Sequence, residues 1–213
     1  MSAEGIPRVP PYVIRTERLT IRCWEPRDAA LLKDALDTSL EHLRPWMPWA
    51  LDEPKPLEEK IDLLRRFRGL FDLGQDFVYG VFDRDEAEVV GGSGLHTRVG
   101  DDALEIGYWL RASAVGRGLA RETTAALTVA AFRVCEVDRV ELHVDPANEP
   151  SLRVPRALGF AEEARLRRRL PSSADGIPRD MVVFTLFRDE FPRSELADLE
   201  LRAYDVLGRE IPL

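Results

Sequence analysis

The chain has little of what marks a membrane-spanning or secreted protein. Its apolar runs fall well short of the roughly 20 residues that span a bilayer. The first residues, MSAEGIPRVPPYVIR, lack the apolar stretch of a signal peptide. The two cysteines, Cys23 and Cys135, are too few and too far apart for a disulfide scaffold. We therefore expect a cytoplasmic protein with reduced, buried thiols and no contact with a membrane.

Metal ligands and an excess of positive charge are also lacking. The three histidines, His42, His96 and His143, are scattered and form no HExxH motif, so the sequence predicts no metal site. Thirty basic residues against 38 acidic ones give a net charge of −8, whereas nucleic-acid-binding domains usually carry an excess of Lys and Arg. We expect no nucleic-acid partner. A cationic substrate such as an amine is compatible with this charge, although solubility is a simpler reason for it.

What the chain does contain is the composition of one globular domain. Of its 213 residues, 45% are hydrophobic and 32% are charged, which is ordinary for a folded protein of this size. The proline-rich residues 1–13 predict an irregular leader, and residues 14–190 predict a single domain. The last residues, 191–213, are interpreted as a C-terminal extension outside the core.

The spacing of apolar residues predicts helices in the first part of this domain and strands in its centre. Consecutive hairpins near the centre indicate an antiparallel stretch within a mixed α/β domain. The predicted strands are 17–24, 77–82, 88–97, 103–110, 139–144, 160–170 and 180–187. The predicted helices are 26–36, a short one ending near 43, 57–71, 119–134 and 151–158, with a loop over 44–56.

Residues 105–127, EIGYWLRASAVGRGLARETTAAL, place a strand, a glycine-containing loop and a long helix in succession. Gly116 and Gly118 let the backbone approach a ligand closely. The start of the helix supplies unpaired N–H groups and the positive end of a dipole. Phosphates bind well at such a place, and Arg117 and Arg121 add positive charge. A strand-to-helix turn without a ligand explains the same pattern equally well.

Two familiar nucleotide-binding loops do not fit this segment. GRGLAR has only the first two glycines of a dinucleotide fingerprint, with Arg121 where the third would stand. The strand before it belongs to an antiparallel run rather than to a βαβ unit. No GKS or GKT follows, which excludes a Walker P-loop. The pattern favours a phosphate-bearing cofactor other than NAD or ATP.

Residues 143–160, HVDPANEPSLRVPRALGF, form the second informative segment. A strand leads to Asn148 and Ser151 at the start of a helix, and Gly159 is a suitable cap at its end. Helix capping explains Asn148 and Ser151 as well as a function does, and one residue can do both.

Together these segments resemble the GNAT superfamily of acyl-CoA-dependent N-acyltransferases. VGRGLA, residues 115–120, is similar at Gly118 and Ala120 to the Q/R-x-x-G-x-G/A loop that holds the CoA pyrophosphate in that family. Residues 143–160 are similar to its N-x-x-S/A segment ending in LGF. TERLTIR (16–22), HLRPWMPW (42–49) and EIGYWL (105–110) look like the RimJ/RimL-like branch, the ribosomal-protein N-terminal acetyltransferases.

The resemblance covers roughly residues 14–190 and implies both fold and activity. The fold would be of the α/β (α+β) class, with a mixed, mostly antiparallel central sheet flanked by helices and the cofactor between diverging central strands. The activity would be transfer of an acetyl group from acetyl-CoA to a primary amine, first of all a protein or peptide N-terminus. A small-molecule (antibiotic or polyamine) acetyltransferase and a non-catalytic acyl-CoA-binding regulatory module are the alternatives. Members of this branch are commonly homodimers.

The same resemblance implies roles for particular residues. Glu105 would be the general base, and Trp46 and Trp49 would lie near the entrance for the acceptor, although packing of the loop onto the domain explains at least one of them. Ser151 is the candidate donor to the departing thiolate, because Pro155 removes the usual Tyr. The residues implied in cofactor binding are Trp109, Leu110, Val115, Gly116, Arg117, Gly118, Leu119, Ala120, Arg121, Asn148 and Ser151.

Two positions depart from the family pattern. Val115 replaces the usual Gln or Arg of the pyrophosphate loop, and Pro155 stands where many members carry the Tyr that protonates the thiolate. His96 and His143 are alternative bases, although a structural role explains each of them. Alternation along a strand places Arg165, Arg167 and Arg169 on one face, where they are candidates for the cofactor's 3′-phosphate or an acidic partner, or are simply solvated.

Overall fold

The computed structural model describes residues 9–171 and 176–213. Its strands are β1 (Val13–Arg15), β2 (Leu19–Cys23), β3 (Phe77–Asp83), β4 (Val89–His96), β5 (Ala103–Leu110), β6 (Arg139–Val144), β7 (Ala161–Leu170), β8 (Arg179–Phe187), β9 (Arg202–Tyr204) and β10 (Glu210–Ile211). Its α-helices are α1 (Ala29–Asp37), α2 (Leu40–Leu43), α3 (Leu57–Asp72), α4 (Leu119–Ala130) and α5 (Glu149–Ala157).

The strands form one sheet in the order β10-β9-β1-β2-β3-β4-β5-β6-β8-β7. Every neighbouring pair is antiparallel except β5 and β6, which are parallel. Helices pack against it, with α3 on β3, α1 on β4 and α4 on β5. The predicted fold class, a mixed and mostly antiparallel sheet flanked by helices, is therefore confirmed.

Helix α4 lies at the centre of the larger of two hydrophobic clusters. Most of its residues are buried, and they are mainly Ala and Thr, whose small side chains let the helix lie close to the sheet. The smaller cluster joins α1 and α3 around Trp24, Leu64 and Phe82. No helix within the described ranges is long and apolar enough to cross a bilayer.

Up to residue 190, the predicted elements agree with the observed ones to within one or two residues, apart from the following differences. The predicted helix 26–36 begins as the 3-10 helix Pro26–Asp28, so α1 itself starts at Ala29. A short strand, β1, precedes the predicted first strand and pairs with it, Val13 opposite Arg22. Helix α4 ends at Ala130 and continues as one π-helical turn, Ala131–Cys135. The loop over 44–56 contains the 3-10 helix Pro48–Asp52. Of the predicted leader, residues 1–8 lie outside the described residues.

The C-terminal segment is not outside the core, and that interpretation was wrong. Phe191, Leu196 and Ala203 are buried, the first two within the larger cluster. Strand β9 pairs with β1, and a turn closed by Gly208 N–H donating to the Asp205 carbonyl, 3.0 Å, leads into β10. This pairing covers the edge of β1, whose backbone groups would otherwise face solvent.

Candidate functional site

The two central strands separate part of the way along the sheet. Strands β5 and β6 pair only where Ala103–Glu105 lie beside Arg139–Glu141, although β5 continues to Leu110 and β6 to Val144. Beyond that point β5 stays paired with β4 on its other side. A cavity of about 1190 Å³ is lined by residues 105–109 of β5 and 142–144 of β6. We refer to it as the cleft.

The loop between β5 and α4 has the geometry expected of a phosphate-binding turn. Gly116 and Gly118 both have φ of 77°, a left-handed conformation that costs glycine little. A Cβ placed on Gly116 would have nothing within 4 Å, so the space beside the loop is open. The first helical hydrogen bond runs from Glu122 N–H to the Gly118 carbonyl, 3.1 Å. The N–H groups of residues 119–121 therefore have no acceptor within the helix, and the loop fits a phosphate group.

Glu105 lies at the point where β5 and β6 part. Its side chain is only 8% exposed, and both of its oxygens accept hydrogen bonds at 2.7 Å from the guanidinium of Arg98. Burial by itself raises the pKa of the Glu105 carboxyl. The hydrogen bonds from Arg98 and the charges of His143, Arg98 and His96 outweigh burial, so the pKa is lowered from its ordinary value. The group is therefore ionised throughout the neutral range.

His143 lies between two carboxylates. Its Nδ1 is 3.5 Å from a Glu105 oxygen, and its Nε2 is 2.8 Å from a Glu141 oxygen. Glu141 in turn accepts a hydrogen bond from Arg139, 2.7 Å. A second histidine in the cleft, His96, has its Nδ1 2.8 Å from Asp76. His143 therefore lies within reach of two carboxylates of the cleft, and one of them is Glu105.

Asn148 and Ser151 begin α5, and the structure shows the capping contact. The Asn148 side chain accepts the Ser151 N–H at 3.2 Å. The Ser151 hydroxyl itself is 2.8 Å from the hydroxyl of Tyr108 on β5. Burial raises the pKa of Tyr108 to about 12, and the bond to Ser151 partly offsets it. The sequence analysis missed Tyr108, because the contact joins residues 43 positions apart.

Three tryptophans, Trp46, Trp49 and Trp109, are among the residues that line the cleft. The rings of Trp49 and Trp109 meet edge to face with centroids 6.1 Å apart. Arg179 ties the Trp46 loop to the sheet, since its Nη1 donates to the Pro45 carbonyl at 3.0 Å and to Asp145 at 2.5 Å. The two predicted acceptor residues and the predicted cofactor residue Trp109 therefore lie together.

The other predicted residues are spread more widely. Leu110 packs against the larger core cluster, and Arg121 is half-exposed with a loose ion pair to Glu195, 3.8 Å. The three strand arginines do not form a common face. Arg165 pairs with Glu162, whereas Arg169 lines the cleft. The register of β7 against β8 shifts between Leu166 and Leu170, and this irregularity breaks the alternation that the prediction assumed.

Comparison with known proteins gives a consistent result. Residues 18–161 match the model of the acetyltransferase (GNAT) domain family. The ribosomal protein uS5-alanine N-acetyltransferase of Escherichia coli (strain K12) is 29% identical over 184 residues, covering 84% of this chain and 92% of that protein.

Two of the similar solved structures contain coenzyme A. Mycobacterium smegmatis RimJ in complex with CoA-disulfide has a TM-score of 0.75 and 26% identity, covering 87% of this chain and 90% of that one. A RimL ribosomal L7/L12 α-N-protein acetyltransferase in complex with coenzyme A has a TM-score of 0.75. At 20% identity over 83% of this chain and 98% of that one, it shows likeness of fold alone.

Proposed function

The chain belongs to the GNAT acetyltransferase family, and from this premise we propose that it moves the acetyl group of acetyl-CoA to the α-amine of a protein or peptide N-terminus. The observation that carries the proposal is the separation of β5 and β6 beyond Glu105, where the cleft lies. The loop residues 115–120 are not part of the lining of the cleft, so the CoA arm would run from that loop into the gap between the two strands. The pyrophosphate would lie on residues 115–120. The CoA bound to the RimJ structure supports this ligand.

The name of one relative supports a protein substrate. The Escherichia coli protein, 29% identical to this chain, is an N-acetyltransferase of ribosomal protein uS5. A ribosomal-protein amine in turn favours the cytoplasm as the place of reaction. A homodimer stays a prediction.

The reaction needs a group that removes a proton and a group that supports the departing thiolate. The neutral amine attacks the thioester carbonyl, a C–N bond forms and the C–S bond breaks. The nitrogen then loses a proton and the thiolate gains one. Glu105 with His143 is the proposed base, because the carboxylate attracts the ammonium charge and the imidazole stands 3.5 Å from it. Ser151, supported by Tyr108, is the proposed donor to sulfur.

The state of Glu105 favours an α-amine over a lysine side chain. A carboxylate of lowered pKa is a weak base, so the acceptor must lose its proton easily. An α-amine has a pKa near 8, and about one molecule in ten is neutral at pH 7. For a lysine ε-amine the neutral fraction is below roughly one in a thousand. The cleft would therefore act on N-termini more readily than on lysines or polyamines.

A screen of acceptors tests the proposed function. With acetyl-CoA as donor, peptides with a free N-terminus should give kcat/KM values roughly 100-fold or more above those of N-terminally blocked, lysine-containing peptides, following the difference in neutral amine. Steady-state release of CoA is the measurement, and a peptide with neither amine is the control. An enzyme that acetylates aminoglycosides or spermidine best, and no peptide, would contradict the N-terminal assignment.

The role of the Tyr108–Ser151 contact can be tested by removing each hydroxyl. Tyr108→Phe and Ser151→Ala should each lower kcat by roughly 3- to 10-fold, the value of one net hydrogen bond, with little change in CoA affinity. The kcat of the double variant should be no lower than that of the more impaired single variant, because the two hydroxyl groups act through one contact. Tyr12→Phe, which removes a hydroxyl bonded to Asp72, is the control. Additive losses in the double variant would contradict the coupling.

A further inference from the structure

The turn between β1 and β2 contacts the glycine loop, although the two segments lie far apart in the sequence. This turn, residues 16–19 with the sequence TERL, is closed by Thr16 N–H donating to the Leu19 carbonyl, 3.0 Å. Leu19 N–H in turn donates to the Thr16 hydroxyl, 2.9 Å. The turn is therefore held by hydrogen bonds of its own, and it lies against the first turn of α4.

Glu122, in that first helical turn, is bound almost entirely by the TERL turn. One carboxylate oxygen accepts the Thr16 hydroxyl at 2.5 Å and the Arg18 backbone N–H at 3.2 Å. The other oxygen accepts Arg18 Nε at 2.6 Å and lies 2.5 Å from Arg18 Nη2. The Glu122 side chain is only 16% exposed. Both oxygens are therefore occupied by donors that come from a turn more than a hundred positions earlier in the chain.

Arg18 also contacts the loop itself. Its Nη1 donates to the carbonyl of Arg117 at 2.9 Å. Arg117 lies between Gly116 and Gly118, two residues whose backbone is unusually free to rotate. In a planar trans peptide the C=O and the following N–H point in opposite directions. Holding the Arg117 carbonyl towards Arg18 therefore aims the Gly118 N–H away from Arg18.

Charge gives Arg18 a second effect. A carboxylate in the first turn of a helix stabilises the helix, but it repels an anion that binds at the same end. The ion pair with Arg18, whose Nε and Nη2 both lie at one Glu122 oxygen, offsets that repulsion. Val115 supplies no cation where the family loop usually carries Gln or Arg. Arg18 is thus a cation held beside the loop by its hydrogen bond to the Arg117 carbonyl and by its ion pair with Glu122.

We infer that Arg18 is a positioning residue for the acyl-CoA pyrophosphate, because it orients the 117–118 peptide and neutralises Glu122. This inference rests on the proposed function. If Arg18 only fastened a hairpin to a helix, its loss would lower stability and affect all acetyl donors alike. A role at the pyrophosphate affects only donors that carry phosphate.

The test compares two donors. Arg18→Met keeps the apolar stem and removes the guanidinium. It should raise the Kd of CoA, measured by calorimetry, by roughly 10-fold or more, as expected when a charge-assisted contact is lost. Its kcat/KM with acetyl-pantetheine, which has no pyrophosphate, should stay within about twofold of the parent protein's value, since no contact to that donor is lost. Arg84→Met is the control. Arg84 donates to the Glu17 carbonyl of the same turn at 3.1 Å, and within the described part of the chain its guanidinium makes no hydrogen bond to the loop.

The double variant Arg18→Met/Glu122→Gln separates the two effects. It should bind CoA more tightly than Arg18→Met alone, because no unpaired carboxylate is left beside the phosphates. A double variant no tighter than the single one would overturn the charge effect. An unchanged Kd in Arg18→Met, or equal losses with both donors, would overturn the inference while the parent protein still bound CoA. A parent protein that bound no CoA would contradict the proposed function itself.

Discussion

Glu105→Gln is expected to lower kcat by roughly 10²- to 10⁴-fold, the usual contribution of a positioned acid–base group. The substitution keeps the size of the side chain and one acceptor for Arg98, but it removes the negative charge beside His143. An ammonium group arriving beside His143 then lacks the counter-charge of Glu105, and the imidazole faces a neutral amide in place of a carboxylate. Steady-state kinetics with saturating acetyl-CoA and a peptide acceptor measures the effect.

Asp76→Asn is the matched control, because it removes a carboxylate bonded to the other cleft histidine, His96. It should change kcat far less. The pH profile adds a second readout. Glu105, with its lowered pKa, is ionised at neutral pH and gives no inflection there. For the parent enzyme, kcat/KM should rise with pH up to about 8, where an α-amine loses its proton. An unchanged kcat and pH profile in Glu105→Gln would show that another residue is the base, and His143→Gln would then be the next variant to test.

The long elements of the fold could be predicted from the sequence because each carries a sustained apolar period. Strand β5 and helix α3 are such cases, and their bounds agree with the prediction to within one residue. The short strands could not be found in this way. Strands β1, β9 and β10 span two or three residues each, which is too short to show alternation. Each of these short strands forms because it hydrogen-bonds to the strand beside it in the sheet.

The candidate site was predictable where its residues lie in one continuous segment. The glycine loop and the start of α5 are of this kind. Pairings between segments were not visible, and they determine the chemistry. Arg98 lowers the pKa of Glu105, Tyr108 meets Ser151, and Arg18 reaches the Arg117 carbonyl. Each contact joins groups that lie on different strands, helices or connecting turns. A sequence pattern records which side chains are available but not the distances between them.

Gly118→Val is expected to weaken the binding of CoA by roughly 100-fold, the loss of one or two charge-assisted hydrogen bonds to the phosphates. Gly118 has φ of 77°, and valine in that conformation is strained by about 1–3 kcal/mol. The loop relieves the strain by turning its N–H groups away from the phosphate position. Steric clash is not the main cause, because the nearest atom to a Cβ there would be Arg18 Nη2 at 3.7 Å. Calorimetric titration with CoA measures the affinity, and thermal unfolding shows whether the variant is folded.

Gly74→Val separates backbone strain from loss of the site. Gly74 follows α3, has φ of 67° and has nothing within 4 Å of a Cβ, so valine there is strained in the same way but far along the chain from the loop. Both variants should lose a few degrees of melting temperature, because about 1 kcal/mol corresponds to roughly 2–4 °C in a protein of this size. Only Gly118→Val should lose CoA affinity. If the two variants bound CoA equally well, residues 115–120 would not hold the pyrophosphate, and the orienting role inferred for Arg18 would be overturned as well.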